Sequence, residues 1–96
     1  MREKQIEQKL VRAVKDTGGI APKLSCPGTD GMPDRLILLH GGRVAFAELK
    51  APGKKPSMLQ VRRKRQLEAL GFRVYVIDHP DLIPSALAQM EGGDAR

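Results

Sequence analysis

Three residues in the middle of the chain combine types that suit phosphoryl chemistry: Asp34 directly after Pro33, then Glu48 and Lys50 two positions apart. Hydrolysing a phosphodiester requires charge against the phosphate oxygens, an activated water and help for the departing oxygen. One or two hard cations held by carboxylates can provide much of this. Mg²⁺ takes oxygen ligands and keeps several waters, so two carboxylates and a backbone carbonyl suffice to hold it. A lysine beside them can steady the charge developing at phosphorus or orient the water. The bland alternative is an Asp34 that merely turns the chain and a Glu48–Lys50 ion pair on a solvated face. Against it, Glu48 lies in the otherwise apolar run at residues 44–49, where an acid is poorly placed unless partnered.

The elements carrying these residues must bring them together. Residues 44–50 read as a strand, so Glu48 and Lys50 share one face and Leu49 points to the other. Residues 35–39 read as a second strand, and Gly41 and Gly42 turn the chain between them. Register is decisive. If Leu39 pairs with Arg43, Asp34 stands opposite Glu48 on the same face; a two-residue turn pairing His40 with Arg43 separates the carboxylates onto opposite faces. The chemistry requires the first register, or a bulge that restores it.

Around this hairpin the pattern predicts further elements. Residues 3–17 form a helix, with Ile6, Leu10, Ala13 and Val14 at i, i+4, i+7 and i+8, stopped by Gly18 and Gly19. Residues 20–26 are a short strand interrupted by Pro22, and residues 27–31 are a loop. Ser57 and Gln60 have capping-box spacing and open a helix to Leu70 that Gly71 ends. Residues 72–77 are a strand. A last helix begins at Pro80 or Asp81 and gathers Leu82, Ile83, Ala86, Leu87 and Met90 on one side. Residues 92–96 read as a frayed tail. The predicted fold is α/β, in the order α-β-β-β-α-β-α: one small mixed sheet flanked by helices, in a single domain over residues 1–96.

The net charge is +6 with a pI near 9.9, a balance that attracts polyanions. Lys50, Lys54, Lys55, Arg62, Arg63, Lys64, Arg65 and Arg73 fall within 24 residues in which Glu68 is the only acid. With no Trp, one Tyr and two Phe, a stacking platform for single strands is disfavoured, and contact with phosphates is the natural use of the charge. Lys54 and Lys55, in a loop beside Lys50, are the leading phosphate contacts. Arg62, Arg63, Lys64 and Arg65 surround their helix, so not all of them can meet DNA. No apolar run approaches the roughly 18 residues of a membrane span, and the polar N-terminus leads into no signal-peptide core. The single cysteine, Cys26, excludes an internal disulfide and a cysteine zinc cage. The expected location is cytoplasmic.

Taken together, Gly31, Met32, Pro33 and Asp34, then Phe46 to Lys50, Pro52, Gly53, Ser57 and Gln60 resemble the VRR-NUC family of the PD-(D/E)XK nuclease superfamily. A bare Pro-Asp followed by Glu-x-Lys occurs by chance; the extension through Ala51, Pro52 and Gly53 with Ser57 and Gln60 close behind is much more specific. The core match runs from Gly31 to Ile77, and the preceding helix agrees in position and character. The resemblance implies a restriction-endonuclease-like core, Asp34 and Glu48 as metal ligands, the Leu49 backbone carbonyl as a third ligand, Lys50 as the catalytic lysine, and Mg²⁺ or Mn²⁺ as cofactor. It also implies a stand-alone phage or bacterial protein, similar to Holliday-junction resolvases, that acts as a homodimer on branched DNA. One position departs from the family: Arg35 follows Asp34 where an apolar residue is usual.

Further roles stay open at this level. At about 100° per residue, Glu7 falls inside the arc formed by Ala13, Ile6, Leu10, Val14 and Val11. It needs a partner there, and a metal or its water would serve; the resemblance likewise implies an acid from this helix as a ligand. The alternative is a fraying helix end that leaves Glu7 and Glu3 in water. Gln60 either closes the capping box or, as the resemblance implies, touches the metal's water or the substrate. A metal-dependent, structure-specific endonuclease is the leading reading. A non-catalytic DNA-binding module explains the charge equally well, but not an acid and a lysine two residues apart beside Pro-Asp. A C2 dimer would supply two symmetric cuts, with the apolar side of the last helix as a candidate interface.

Overall fold

In the computed structural model, which describes residues 1–92, helix α1 (Glu3–Asp16) opens the chain and buries Ile6, Leu10 and Val14. A hairpin of β1 (Arg35–Leu39) and β2 (Arg43–Leu49) follows, then α2 (Met58–Ala69), β3 (Arg73–Ile77) and α3 (Ile83–Gly92), the last entered through a 3-10 turn, Pro80–Leu82. The sheet order is β1-β2-β3, with β1 antiparallel and β3 parallel to β2. Parallel neighbours need a long crossover, and α2 provides it.

The expected order α-β-β-β-α-β-α is retained, with one local difference. At its first β position the chain makes two isolated bridges to β1, Ile20 with Leu38 and Lys23 with Arg35, instead of a ladder. The reason is Pro22. Its carbonyl accepts from Leu36 N at 3.0 Å, but it has no N–H to return the bond. At the other end, Gly92 closes α3, and residues 93–96, the rest of the expected frayed tail, lie outside the described residues.

The hairpin adopts the register the chemistry requires: Leu39 pairs with Arg43 and Arg35 with Ala47. His40–Gly42 form a single 3-10 turn, with Gly41 at φ 79° and Gly42 at φ 72°. This left-handed backbone costs glycine little and other residues more. Alternation then sorts the sheet. Ile37, Ala45, Ala47, Leu49 and Ile77 join α1 and α3 in the main core, whereas Leu36, Phe46 and Val74 pack with Leu67 of α2. Asp34, Glu48 and Lys50 carry the parity of the α2 face.

The apolar side of α3 faces inward. Ile83, Ala86, Leu87 and Met90 are buried in the main core, and only Leu82 of the expected set is exposed. That side is therefore closed to a dimer partner by the protein's own sheet and α1.

Candidate active site

Asp34 precedes the first paired residue of β1, and continuing the register by one step sets it opposite Glu48. Its Oδ2 accepts from the Leu49 backbone N–H at 2.8 Å. The β1 ladder has ended by then, so a carboxylate stands where a strand carbonyl would be. In an antiparallel ladder the N–H and C=O of one residue point toward the same neighbour. The Leu49 carbonyl thus faces the Asp34 side, while the next N–H, that of Lys50, turns away to the Ile77 carbonyl at 3.0 Å. A terminated strand pairing is what leaves two side-chain oxygens and one main-chain oxygen at the same corner.

Glu48 is 3% exposed, the one buried charged side chain among the described residues. Burial raises its pKa to about 7; the nearby Asp34 charge pushes in the same direction, Lys50 pulls back, and Glu3 adds a smaller push. The Lys50 ammonium lies 3.4 Å from Glu48 Oε2. One lysine against two facing acids leaves the corner short of positive charge. An oxygen-only donor set with that deficit fits a hard divalent cation such as Mg²⁺ or Mn²⁺. Among the described residues, no three or more His, Cys, Asp or Glu converge as a metal cage. The fit is therefore to two carboxylates completed by the carbonyl and waters.

Gln60 closes the capping box and also reaches an acid of the site. Ser57 N donates to Gln60 Oε1 at 2.8 Å, and Gln60 N donates to Ser57 Oγ at 3.2 Å. The same Gln60 side chain donates through Nε2 to Glu48 Oε2. The capping box fixes the amide, and its free end reaches the buried acid. The helix start of α2 is thereby locked to the centre of the site.

Glu7 is placed elsewhere. Arg35 Nε donates to Glu7 Oε2 at 2.8 Å, and Arg35 Nη1 donates to the Ala21 carbonyl at 2.9 Å. Arg35 is one residue beyond Asp34, so its side chain leaves the other face of β1. The residue that departs from the family pattern is the one that satisfies Glu7. Glu3, one turn earlier, is the α1 acid whose charge Glu48 feels. The helical arc puts Glu7 where a carboxylate needs a partner, and in the structure that partner is Arg35, 28 positions along the chain, which local periodicity does not reveal.

The basic candidates divide. Lys54 and Lys55 are exposed in the loop after the site, and Lys54 N closes a turn onto the Ala51 carbonyl at 2.9 Å. Arg62 and Arg65 are exposed on α2. Arg63 is held by the Asp30 carbonyl at 3.0 Å and Gln66 Oε1 at 2.6 Å. Lys64 pairs with Glu68 at 2.8 Å, and it lines a small cleft with Gly31, Pro33, Glu48 and Gln60. Gly31 has φ 81°, and a Cβ there would come within 2.9 Å of the Leu59 carbonyl oxygen. The loop that delivers Asp34 can lie against α2 only because this residue has no side chain.

No family model matches the chain. It is 49% identical to "Putative nuclease p44" of Acyrthosiphon pisum secondary endosymbiont phage 1 over 82 residues, 85% of this chain and 88% of that protein. Among solved structures it is similar to one described as "VRR_NUC domain", with a TM-score of 0.85 and 26% identity, covering 91% of this chain and 95% of that one.

Proposed function

This chain belongs to the VRR-NUC family, and on that premise we propose that it is a nuclease: a metal-dependent endonuclease that hydrolyses phosphodiester bonds in branched DNA such as Holliday junctions. The observation that carries this reading is the convergence of Asp34, Glu48 and Lys50 on one corner of the sheet, with Glu48 buried and its pKa raised to about 7. A non-catalytic binding module has no use for such a carboxylate, whose burial carries a cost in folding free energy.

Asp34, Glu48 and the Leu49 carbonyl would hold Mg²⁺ or Mn²⁺. Glu7, bound to Arg35, would act on that corner only through the position of β1. When bound, the cation supplies positive charge against a phosphate oxygen and makes a water more acidic. Lys50 presents its ammonium at the same corner, where it can orient the attacking water and balance charge gathering on the phosphate in the transition state. Gln60 fixes Glu48 through its amide and keeps one carboxylate oxygen aimed. Lys54, Lys55, Arg62 and Arg65 are free to meet phosphates, with Arg63 and Lys64 behind them already engaged in contacts within the protein.

One chain carries one such corner, so paired cuts in a four-way junction require two chains, and we propose a homodimer as the working unit. The setting that suits a DNA substrate and a reduced Cys26 is the cytoplasm of a bacterial or phage-infected cell. A panel of end-labelled junction, flap, splayed-arm and linear duplex DNAs, incubated with Mg²⁺ and with chelator, tests the reading. Cutting of branched forms only with the metal is expected; metal-independent cutting, or binding with no cutting of any form, overturns it.

A further inference from the structure

A second charged feature lies away from the corner just described. Between α1 and the chain that bridges to the outer edge of β1 runs an open groove of several hundred cubic ångströms, with Lys4, Arg12 and Lys15 on one wall and Lys23 on the other. Arg35 and Glu7 form its floor and neutralise each other at 2.8 Å. Asp16 is the one acid in the lining outside that pair. Lys4, Gln8, Arg12 and Lys15 follow at spacings of four, four and three, so they form one stripe along α1. The stripe's three positive charges, and Lys23 across the groove, are exposed. Among the described residues, none of them makes an ion pair, unlike Lys64 of α2.

We propose that this groove is a second nucleic-acid contact surface, holding the phosphate backbone of the duplex that flanks the cut. From Lys4 to Lys15 the stripe runs about 16 Å along the helix axis, long enough to follow several consecutive phosphates of one strand. The groove's floor residue Arg35 directly follows Asp34 at the start of β1, so the groove and the catalytic corner adjoin the same end of that strand, and a duplex longer than the site can reach both. The basic stretch at residues 50–73 and the α1 groove then grip two different parts of one substrate. The proposal rests on the nuclease reading for its substrate but uses none of the catalytic residues.

The test is a variant with Lys4→Gln, Arg12→Gln, Lys15→Gln and Lys23→Gln together, compared with wild type after a thermal melt has shown both folded. Binding of a labelled junction with long arms is measured in chelator, over a range of salt concentrations. Each lost phosphate contact should lower the slope of log K against log salt by about 0.9, so a fall of up to about 3.6 and at least tenfold weaker binding at physiological salt are expected. Cleavage of a junction with arms too short to reach the groove should be unchanged. An unaltered slope and affinity overturn the groove. Wild-type protein that binds DNA with this slope yet never cuts it would instead sink the nuclease reading and leave the groove standing.

Discussion

Taking a carboxylate out of water favours its neutral form, and Glu48 is held at that balance. Its pKa of about 7 against an ordinary 4.5 means that, between those values, the folded chain keeps a proton that the unfolded chain releases. The stabilising contribution is complete below about 4.5 and is lost as pH rises through 7. The metal-free protein should therefore melt lower at about pH 8 than at pH 5, by at most roughly 3 kcal/mol from this group. Glu48→Gln should remove most of the difference, and Mg²⁺ should raise the melting temperature of the wild type at pH 8 but not that of the variant. Parallel melting curves for the two proteins would show that Glu48 is not the titrating group. Asp34→Ala and Lys50→Ala should each lower single-turnover cleavage by at least about 10²-fold with DNA binding in chelator retained; normal cutting by either would remove that residue from the mechanism. Asp34, Glu48 and Lys50 were readable in the chain because strand alternation fixes their faces and the hairpin offered only two registers. The pairing of Glu7 with Arg35 was not readable, because a long-range ion pair is not contained in local periodicity.

At the level of elements, the site is held by joints that also make secondary structure. Ser57 and Gln60 start α2, and the same Gln60 touches Glu48, so folding of the helix end and aiming of the acid are coupled. Ser57→Ala should cost about 1 kcal/mol of stability while leaving cleavage per folded molecule nearly intact. Gln60→Ala should cost a similar amount and lower the cleavage rate as well. If both variants lose stability alone, Gln60 is a cap and nothing more. Gly31→Ala should destabilise by more than about 1 kcal/mol, because both its φ and the Leu59 carbonyl oppose a side chain; chemical denaturation measures this, and an unchanged midpoint would show that the Asp34 loop does not need its close approach to α2. The elements themselves were largely legible: capping, glycine stops and alternation placed α1, β1, β2, α2 and β3 within a residue or two. Pro22 limited residues 20–26 to bridges, and the inward side of α3 became visible only once the sheet it covers was in place, since an apolar stripe does not say which surface buries it.

Across the whole molecule, a net charge of +6 suits a nuclease whose substrate is a polyanion. A single corner of one sheet makes one cut, and with α3 buried within the chain, pairing of two copies must use another surface. Sedimentation with a four-way junction should show two chains per DNA at saturating protein; full paired cutting by one chain per junction would contradict the dimer. All of this rests on the two facing carboxylates being a cation site. Crystals soaked in Mn²⁺ and recorded near its absorption edge test that most directly. An anomalous peak about 2.2 Å from an oxygen of Asp34, an oxygen of Glu48 and the Leu49 carbonyl is the predicted result, and a protein that cuts DNA with the metal bound elsewhere, or with no peak between these residues, would contradict the account.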